Sequence, residues 1–139
     1  AAIALPAYQD YIARAQVSEA FTLADGLKTS ISTNRQNGSC FAPATTTASS
    51  TGGAKAVDGV DTIEGKYGKA TILQEGGTTA GSLVCGIHYK FNATGVSDKL
   101  KGKEIVLKVN EDSGKLTLEN VNSKTTSNGM NKYLPNAFR

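Results

Sequence analysis

Apolar residues recur every three or four positions in the first part of the chain, between residues 17 and 31. Five of them share one side of a helix: Val17, Phe21, Ala24, Leu27 and Ile31. This spacing is typical of an amphipathic α-helix, with polar residues such as Gln16 and Glu19 off the stripe. Burying its four large side chains would contribute roughly 6–12 kcal/mol before conformational entropy is subtracted. We therefore predict a helix that covers a sheet with this half and ends near Asn34 to Gly38.

The stretch before this stripe has apolar residues on every side of the same helix. A helix of that kind needs cover on every side, and the rest of the chain is too short to surround it and also cover the second half. We predict that it packs on sister helices or on a membrane. The residues assigned to this packing are Ala1, Ala2, Ile3, Ala4, Leu5, Tyr8, Tyr11, Ile12 and Arg14.

After residue 69 the apolar period changes from about 3.6 to two, which predicts β-strands. Four segments follow this pattern: about Lys69–Gln74, Ser82–Asn92, Lys103–Asn110 and Lys115–Val121. Each has one apolar face, as in an antiparallel sheet covered on one side. The predicted fold class is therefore α+β, a long N-terminal helix packed on a four-stranded antiparallel sheet. Residues 1–139 form one domain, with a helical spine (1–34), a helix-to-sheet loop (35–68), the sheet (69–121) and a C-terminal loop region (122–139).

Composition and charge exclude some classes of protein. The 139 residues carry a net charge of +3, and their lysines are too scattered for a specific nucleic-acid site. No run of eighteen apolar residues is present, so the sequence contains no complete transmembrane helix. Cys40 and Cys85 match no zinc or redox spacing. Our preferred interpretation is a disulfide in an oxidising compartment, worth on the order of 4 kcal/mol; the alternative is two buried thiols of a cytosolic protein.

Candidate chemistry is sparse. His88 is the sole histidine, and no Ser, Cys or carboxylate motif frames it, so a surface or hydrogen-bonded imidazole is favoured over a general base. Asp58, Asp61 and Glu64 lack the twelve-residue calcium loop pattern. We predict no catalytic residue, no cofactor and no metal, and therefore no enzyme.

The opening sequence AAIALPAYQDYIARAQVSEA resembles the helix of type IVa pilins just after their very hydrophobic N-terminus. The matching features are the small-residue run from Ala1 to Ala4, then Pro6, Tyr8, Asp10, Tyr11, Arg14, Ala15 and Val17 to Glu19. In a soluble protein Pro6 would lie in the first helical turn, whereas in a pilin it bends the helix. Mature pilins begin with a methylated Phe and a long apolar run. Because this is missing here, we expect the chain to be truncated or to be only the ordered part of the protein.

This resemblance implies a structural subunit of an extracellular type IV pilus, a homo-oligomeric helical filament. It implies anchoring in the inner membrane through the missing N-terminal segment before assembly, a periplasmic globular part, and addition by the pilus assembly machinery. It also implies surface adhesion to a host or abiotic receptor and twitching motility, with DNA uptake as a further consequence. In many members of the family a disulfide holds a loop near the C-terminus. Cys40 and Cys85 lie too far from the C-terminus to do this, so that loop must be held in another way. The alternatives are a minor pilin, a type II secretion pseudopilin, or a monomeric periplasmic binding module.

Overall fold

The chain begins with one long helix. A computed structural model describes residues 4–36, 38–42, 59–75, 83–111 and 113–138. Helix α1, Ala4–Arg35, has 32 residues and is roughly 48 Å long at 1.5 Å per residue. It ends inside the interval that the sequence predicts. Among the described residues, no helix combines the length and the hydropathy required to cross a membrane.

An antiparallel sheet follows the helix. Its strands are β1 Thr62–Glu64, β2 Gly68–Glu75, β3 Val84–Phe91, β4 Glu104–Val109 and β5 Leu116–Thr117. Each strand pairs with the next one along the chain, so the order is β1-β2-β3-β4-β5. Two 3₁₀ turns, Asn131–Tyr133 and Asn136–Phe138, follow near the C-terminus. The predicted α+β fold class, a long helix packed on an antiparallel sheet, is confirmed.

The strand count of four is wrong, because the described sheet has five strands. Strand β1 lies inside the segment that the sequence assigns to an irregular connection. With three residues it is too short to show a period of two, and it forms by pairing with β2, with Ile63 opposite Ala70. The last predicted strand, Lys115–Val121, is also too long. Only Leu116 and Thr117 pair with β4, and Val121 instead forms an isolated bridge with Lys124.

The main core lies between α1 and one face of the sheet. The buried apolar residues of the helix are Ala13, Val17, Ala20, Ala24, Leu27 and Ile31, at alternating steps of four and three. The sheet contributes Ala70, Ile72, Ile87, Tyr89, Ile105 and Leu107. Three of the helix residues are alanines, whose small side chains let the helix lie close to the strands.

The opposite face of the sheet carries a smaller apolar cluster. It consists of Leu73, Val106 and Val121, with Val84 packed against it. Val121 comes from the C-terminal region, which therefore covers part of this face. Nearer the beginning of β4 the same face becomes polar, with Lys69, His88 and Lys90.

Candidate filament interface

The first described turns of α1 carry two tyrosines that no described part of the chain covers. Tyr8 is 62% exposed and Tyr11 is 72% exposed. They are three residues apart and so lie on neighbouring parts of one helix face. Exposed aromatic rings of this size, adjacent on a surface, are typical of an interaction site.

The other residues predicted for subunit packing differ in their placement. Ile12 is half-buried and Arg14 is exposed, with the Arg14 Nε donating a hydrogen bond to the carbonyl of Lys132, 3.2 Å away. Ala1, Ala2 and Ile3 lie outside the described residues. Ala4 and Leu5 lie in the helix, but their side chains are outside the described part. The uncovered face is therefore defined by Tyr8 and Tyr11.

Full burial by the same chain begins two residues after Tyr11, at Ala13. Val17, Ala24, Leu27 and Ile31 are buried, as a helix-to-sheet core requires. Phe21 is only partly buried and lies at the rim. Its ring packs on Phe138, with 4.7 Å between the ring centroids. The sheet and the C-terminal region thus cover one side of the helix, while Tyr8 and Tyr11 lie on a side that stays exposed.

Gln16 of the helix holds a loop of the sheet, a role that the sequence did not indicate. Gln16 lies off the apolar stripe, yet it is only 8% exposed. Its Oε1 accepts a hydrogen bond from the Ser97 backbone N–H at 2.8 Å. A buried amide needs such a partner, so Gln16 fixes the β3–β4 loop against the helix. The hydrophobic period places Gln16 among the polar positions of the helix and does not reveal this contact.

The chain after the helix is held by a disulfide. Cys40 and Cys85 are bonded, with their Cα atoms 5.6 Å apart, and both are fully buried. Because Cys85 lies in β3, the bond attaches the beginning of the helix-to-sheet connection to the middle of the sheet. The remainder of that connection, residues 43–58, lies outside the described residues, and so does Asp58 of the weak calcium pattern.

Buried polar side chains surround this disulfide. The Gln74 Oε1 accepts hydrogen bonds from the Cys40 backbone N–H at 2.8 Å and from the Ser39 hydroxyl at 3.1 Å. The Asn34 Nδ2 donates to the Cys40 carbonyl at 3.0 Å. Asp61, which is fully buried, accepts from the Ala42 N–H at 3.0 Å. These bonds satisfy the backbone of a segment that enters the protein without regular secondary structure.

Comparisons with known proteins agree with this arrangement. Residues 13–139 match the family model of pilins, described as bacterial filament proteins. A fimbrial protein of Moraxella nonliquefaciens is 71% identical over 139 residues, which cover 100% of this chain and 84% of that protein. The fimbrial protein EcpC of Eikenella corrodens is 35% identical over 139 residues, covering 100% and 78%.

The chain belongs to the pilin family. A type IV major pilin protein of Neisseria gonorrhoeae, PilE1, is 36% identical over 114 residues, or 82% of this chain and 60% of that one. The resemblance to type IV pilins that the first twenty residues carry is confirmed. Pilins are structural filament proteins, so this pilin is a structural protein and not an enzyme.

The C-terminal region of this pilin is attached without a disulfide. Four hydrogen bonds join it to β4. The Glu104 N–H donates to the Ser127 hydroxyl (2.8 Å) and the Val106 N–H to the Thr126 hydroxyl (3.0 Å). In return the Ser127 N–H donates to the Glu104 carbonyl (2.9 Å) and the Thr126 hydroxyl to the Val106 carbonyl (3.5 Å). Met130, Tyr133 and Leu134 are buried in the main core. Side-chain hydroxyls thus take the place of a further strand along this part of β4.

The sole histidine of this pilin is hydrogen-bonded to a carboxylate on the sheet. The His88 Nε2 lies 2.5 Å from the Glu104 Oε1. Burial lowers the pKa of His88 more than this hydrogen bond raises it, and the same hydrogen bond lowers the pKa of Glu104. A neutral imidazole that donates from Nε2 to the carboxylate fits both directions. Within the described residues, no group of His, Cys, Asp or Glu is arranged to hold a metal.

Proposed function

We propose that this pilin is the major subunit of a type IV pilus. Its relatives support the assignment, since one at 36% identity is named a type IV major pilin protein and one at 71% identity a fimbrial protein. The same names favour a major pilin over a minor pilin or a pseudopilin. The family favours filament formation over a monomeric periplasmic binding module.

The observation that supports packing between subunits is the exposure of Tyr8 and Tyr11. At 62% and 72%, they carry apolar area that no described part of the chain covers. In a homo-oligomer the partner is another copy, and a repeated head-to-tail contact of this kind builds an open helical filament. The uncovered face with Tyr8 and Tyr11, here called the tyrosine face, then lies inside the filament, and the sheet and C-terminal region lie outside.

The proposal includes a route to the filament. A hydrophobic segment preceding Ala1, as the resemblance implies, holds the subunit in the inner membrane with the globular part in the periplasm. The assembly machinery then adds subunits to, or removes them from, the base of an extracellular pilus. Extension and retraction would support surface adhesion and twitching motility, with DNA uptake as a further consequence.

The test is a charge placed on the tyrosine face of the full-length protein. Tyr11→Asp in cells should reduce pili by at least about tenfold, because burying an unpaired carboxylate between subunits costs several kcal/mol. Tyr11→Phe keeps the ring and should assemble normally. Pili are counted by electron microscopy, and subunit levels are measured in whole cells.

The fold is checked separately on the 139-residue chain. Because Tyr11 is exposed, Tyr11→Asp should change its free energy of unfolding by less than about 0.5 kcal/mol. Normal piliation in a Tyr11→Asp strain would contradict the packing role of this face. Equal loss of pili with Tyr11→Phe would show that the ring's burial is not what matters.

A further inference from the structure

The chain contains two Asn–Gly pairs, Asn37–Gly38 and Asn128–Gly129. In such a pair the glycine backbone nitrogen can attack the side-chain amide carbon of the asparagine, because glycine has no side chain to obstruct the approach. The attack requires a glycine N–H that is accessible to base and can lose its proton. The two pairs of this chain differ in that requirement.

The first pair, just after the helix, is protected at the reacting nitrogen. The Gly38 N–H donates a hydrogen bond to the Arg35 carbonyl at 3.0 Å. Asn37 itself lies outside the described residues. An N–H that is held by a carbonyl must be released before base can remove its proton, as in hydrogen exchange. The Gly38 nitrogen is therefore a poor nucleophile in the folded chain.

The second pair, in the C-terminal region, lacks this protection. Within the part of the chain that the structure describes, neither the Gly129 N–H nor the Asn128 side-chain amide makes a hydrogen bond. Both residues are exposed, so water and hydroxide reach them. Backbone conformation does not distinguish the pairs, since φ is 77° at Gly38 and 83° at Gly129. The difference lies in the hydrogen bonding of the reacting nitrogen.

We propose that Asn128 is a site of spontaneous deamidation, and that the isoaspartate formed there loosens the C-terminal region. The Gly129 nitrogen forms a bond to the Asn128 Cγ, the Cγ–Nδ2 bond breaks, and the amide group leaves as ammonia with the proton of the Gly129 N–H. The five-membered cyclic imide then adds one water at either carbonyl. Opening at one carbonyl gives aspartate, and opening at the other gives isoaspartate. One water is taken up, one ammonia is released, and nothing is oxidised or reduced.

Isoaspartate would lengthen the main chain between two anchored residues. Ser127 precedes the site, and its N–H donates to the Glu104 carbonyl at 2.9 Å while its hydroxyl accepts from the Glu104 N–H at 2.8 Å. Met130 follows the site and is 1% exposed in the main core. Isoaspartate routes the main chain through its own Cβ and Cγ, which adds one carbon atom. The bonds of Ser127 should yield first, because a hydrogen bond contributes less than burial of a large apolar side chain.

The test follows the 139-residue chain during prolonged incubation in mildly alkaline buffer, where base removes the N–H proton faster. Peptide mapping by mass spectrometry, with enzymatic methylation of isoaspartate, measures the product at each pair. We expect product to form at least about fivefold faster at Asn128 than at Asn37, the factor that one protecting hydrogen bond supplies. In denaturant the two rates should become similar, because the hydrogen bond of Gly38 is lost.

Hydrogen exchange tests the consequence at Glu104. In the purified isoaspartate form the protection factor of the Glu104 N–H should fall by about fivefold, because its Ser127 partner shifts. Asn128→Gln, whose longer side chain cannot close the five-membered ring, should keep full protection through the same incubation. Asn37→Gln is the matched control and should lose protection as the unchanged chain does.

A further variant separates the added charge from the added atom. Asn128→Asp carries the same new carboxylate on an ordinary main chain. Because the site is exposed and the charge is screened by salt, its protection at Glu104 should stay within about twofold of the unchanged chain.

Four outcomes would overturn the inference. The first is absence of product at Asn128, and the second is product at Asn37 in the folded chain at an equal or higher rate. The third is protection lost in Asn128→Gln or kept in Asn37→Gln, which would place the change elsewhere. The fourth is equal loss in Asn128→Asp, which would assign the loosening to charge. All four are measured on the single chain and are independent of the piliation counts for Tyr11→Asp.

Discussion

The segment after the helix and the C-terminal region are attached to the same sheet by different means. Residues 39–42 are joined to it by the Cys40–Cys85 bond and by buried amide and carboxylate side chains. Residues 121–138 are held by hydroxyl contacts along β4, a small apolar cluster and a few core side chains. The first attachment is covalent and fully buried, while the second is distributed over many weaker contacts.

This difference has a consequence for local stability. A covalent tie stabilises mainly by restricting the unfolded chain, so its loss lowers the stability of the whole domain. Contacts spread along a segment can open separately, at less than the global free energy. We expect the C-terminal region to open before the sheet does, and the segment around Cys40 to open only with the whole domain.

Removing the covalent tie should have the largest effect. The Cys40→Ala/Cys85→Ala double variant loses a bond between residues 45 apart in sequence, which should lower the free energy of unfolding by on the order of 4 kcal/mol. Urea unfolding followed by circular dichroism measures the change. A loss below about 1 kcal/mol would mean that the polar network around Gln74 holds this segment without the bond.

Loss of a fully buried side chain of the C-terminal region should rank next. Leu134 is 1% exposed in the main core, and Leu134→Ala should cost about 3 kcal/mol from lost burial and the cavity left behind. Thr125→Ala, at an exposed position of the same region, should stay within about 0.5 kcal/mol. Similar unfolding midpoints for Leu134→Ala and Thr125→Ala would show that the region is already detached in solution.

The hydroxyl contacts should matter locally more than globally. Thr126→Val leaves the Val106 N–H without its partner at 3.0 Å, and we expect a loss of about 1 kcal/mol. Hydrogen exchange should become faster at Val106, which bonds to the C-terminal region, and remain unchanged at Ile72, which bonds to Asp61. Equal acceleration at both amides would indicate that the two attachments open together.

The sequence predicted the parts of this pilin that follow a regular period. The helix stripe from Val17 to Ile31 and the alternation along β3 repeat often enough to be read from one sequence. Strand β1 is three residues long and forms only because the edge of β2 is available. It therefore depends on tertiary pairing and has no pattern of its own in the sequence. The roles of Gln16 and Gln74 also depend on which backbone groups approach them after folding, and single polar residues carry no sign of that.

The candidate interface was predictable for a different reason. Tyr8 and Tyr11 lie in a helical stretch with more apolar surface than the chain can cover, and that imbalance is a property of composition. Which helix residues receive cover from the same chain was not predictable in detail. Ala13 lies in the stretch that the sequence assigns to outside partners, yet it is fully buried. The C-terminal region reaches that turn, where Arg14 donates to the Lys132 carbonyl.

Lowering the pH should give the smallest change in stability, and it should loosen the C-terminal attachment first. The folded-state pKa of His88 lies below its ordinary value of 6.5 because of burial, so the unfolded chain binds more protons as pH falls. The stability from this group is fully present above pH 6.5 and is lost as pH falls through the folded pKa. Glu104 has a pKa below its ordinary 4.5, so its contribution is present above pH 4.5 and is lost below it.

The charges around this pair explain why the C-terminal region responds first. A protonated His88 would face Lys90 and Lys124, and Glu104 is its only carboxylate partner among the groups that act on it. Lys124 belongs to the C-terminal region, and the backbone of Glu104 holds Ser127. The protection factors of Glu104 and Ser127, which correct for the slower intrinsic exchange in acid, should therefore fall as the pH drops below 6.5, and His88→Gln, which cannot become charged, should remove this dependence. If the variant keeps the same dependence, the acid response arises elsewhere in the domain.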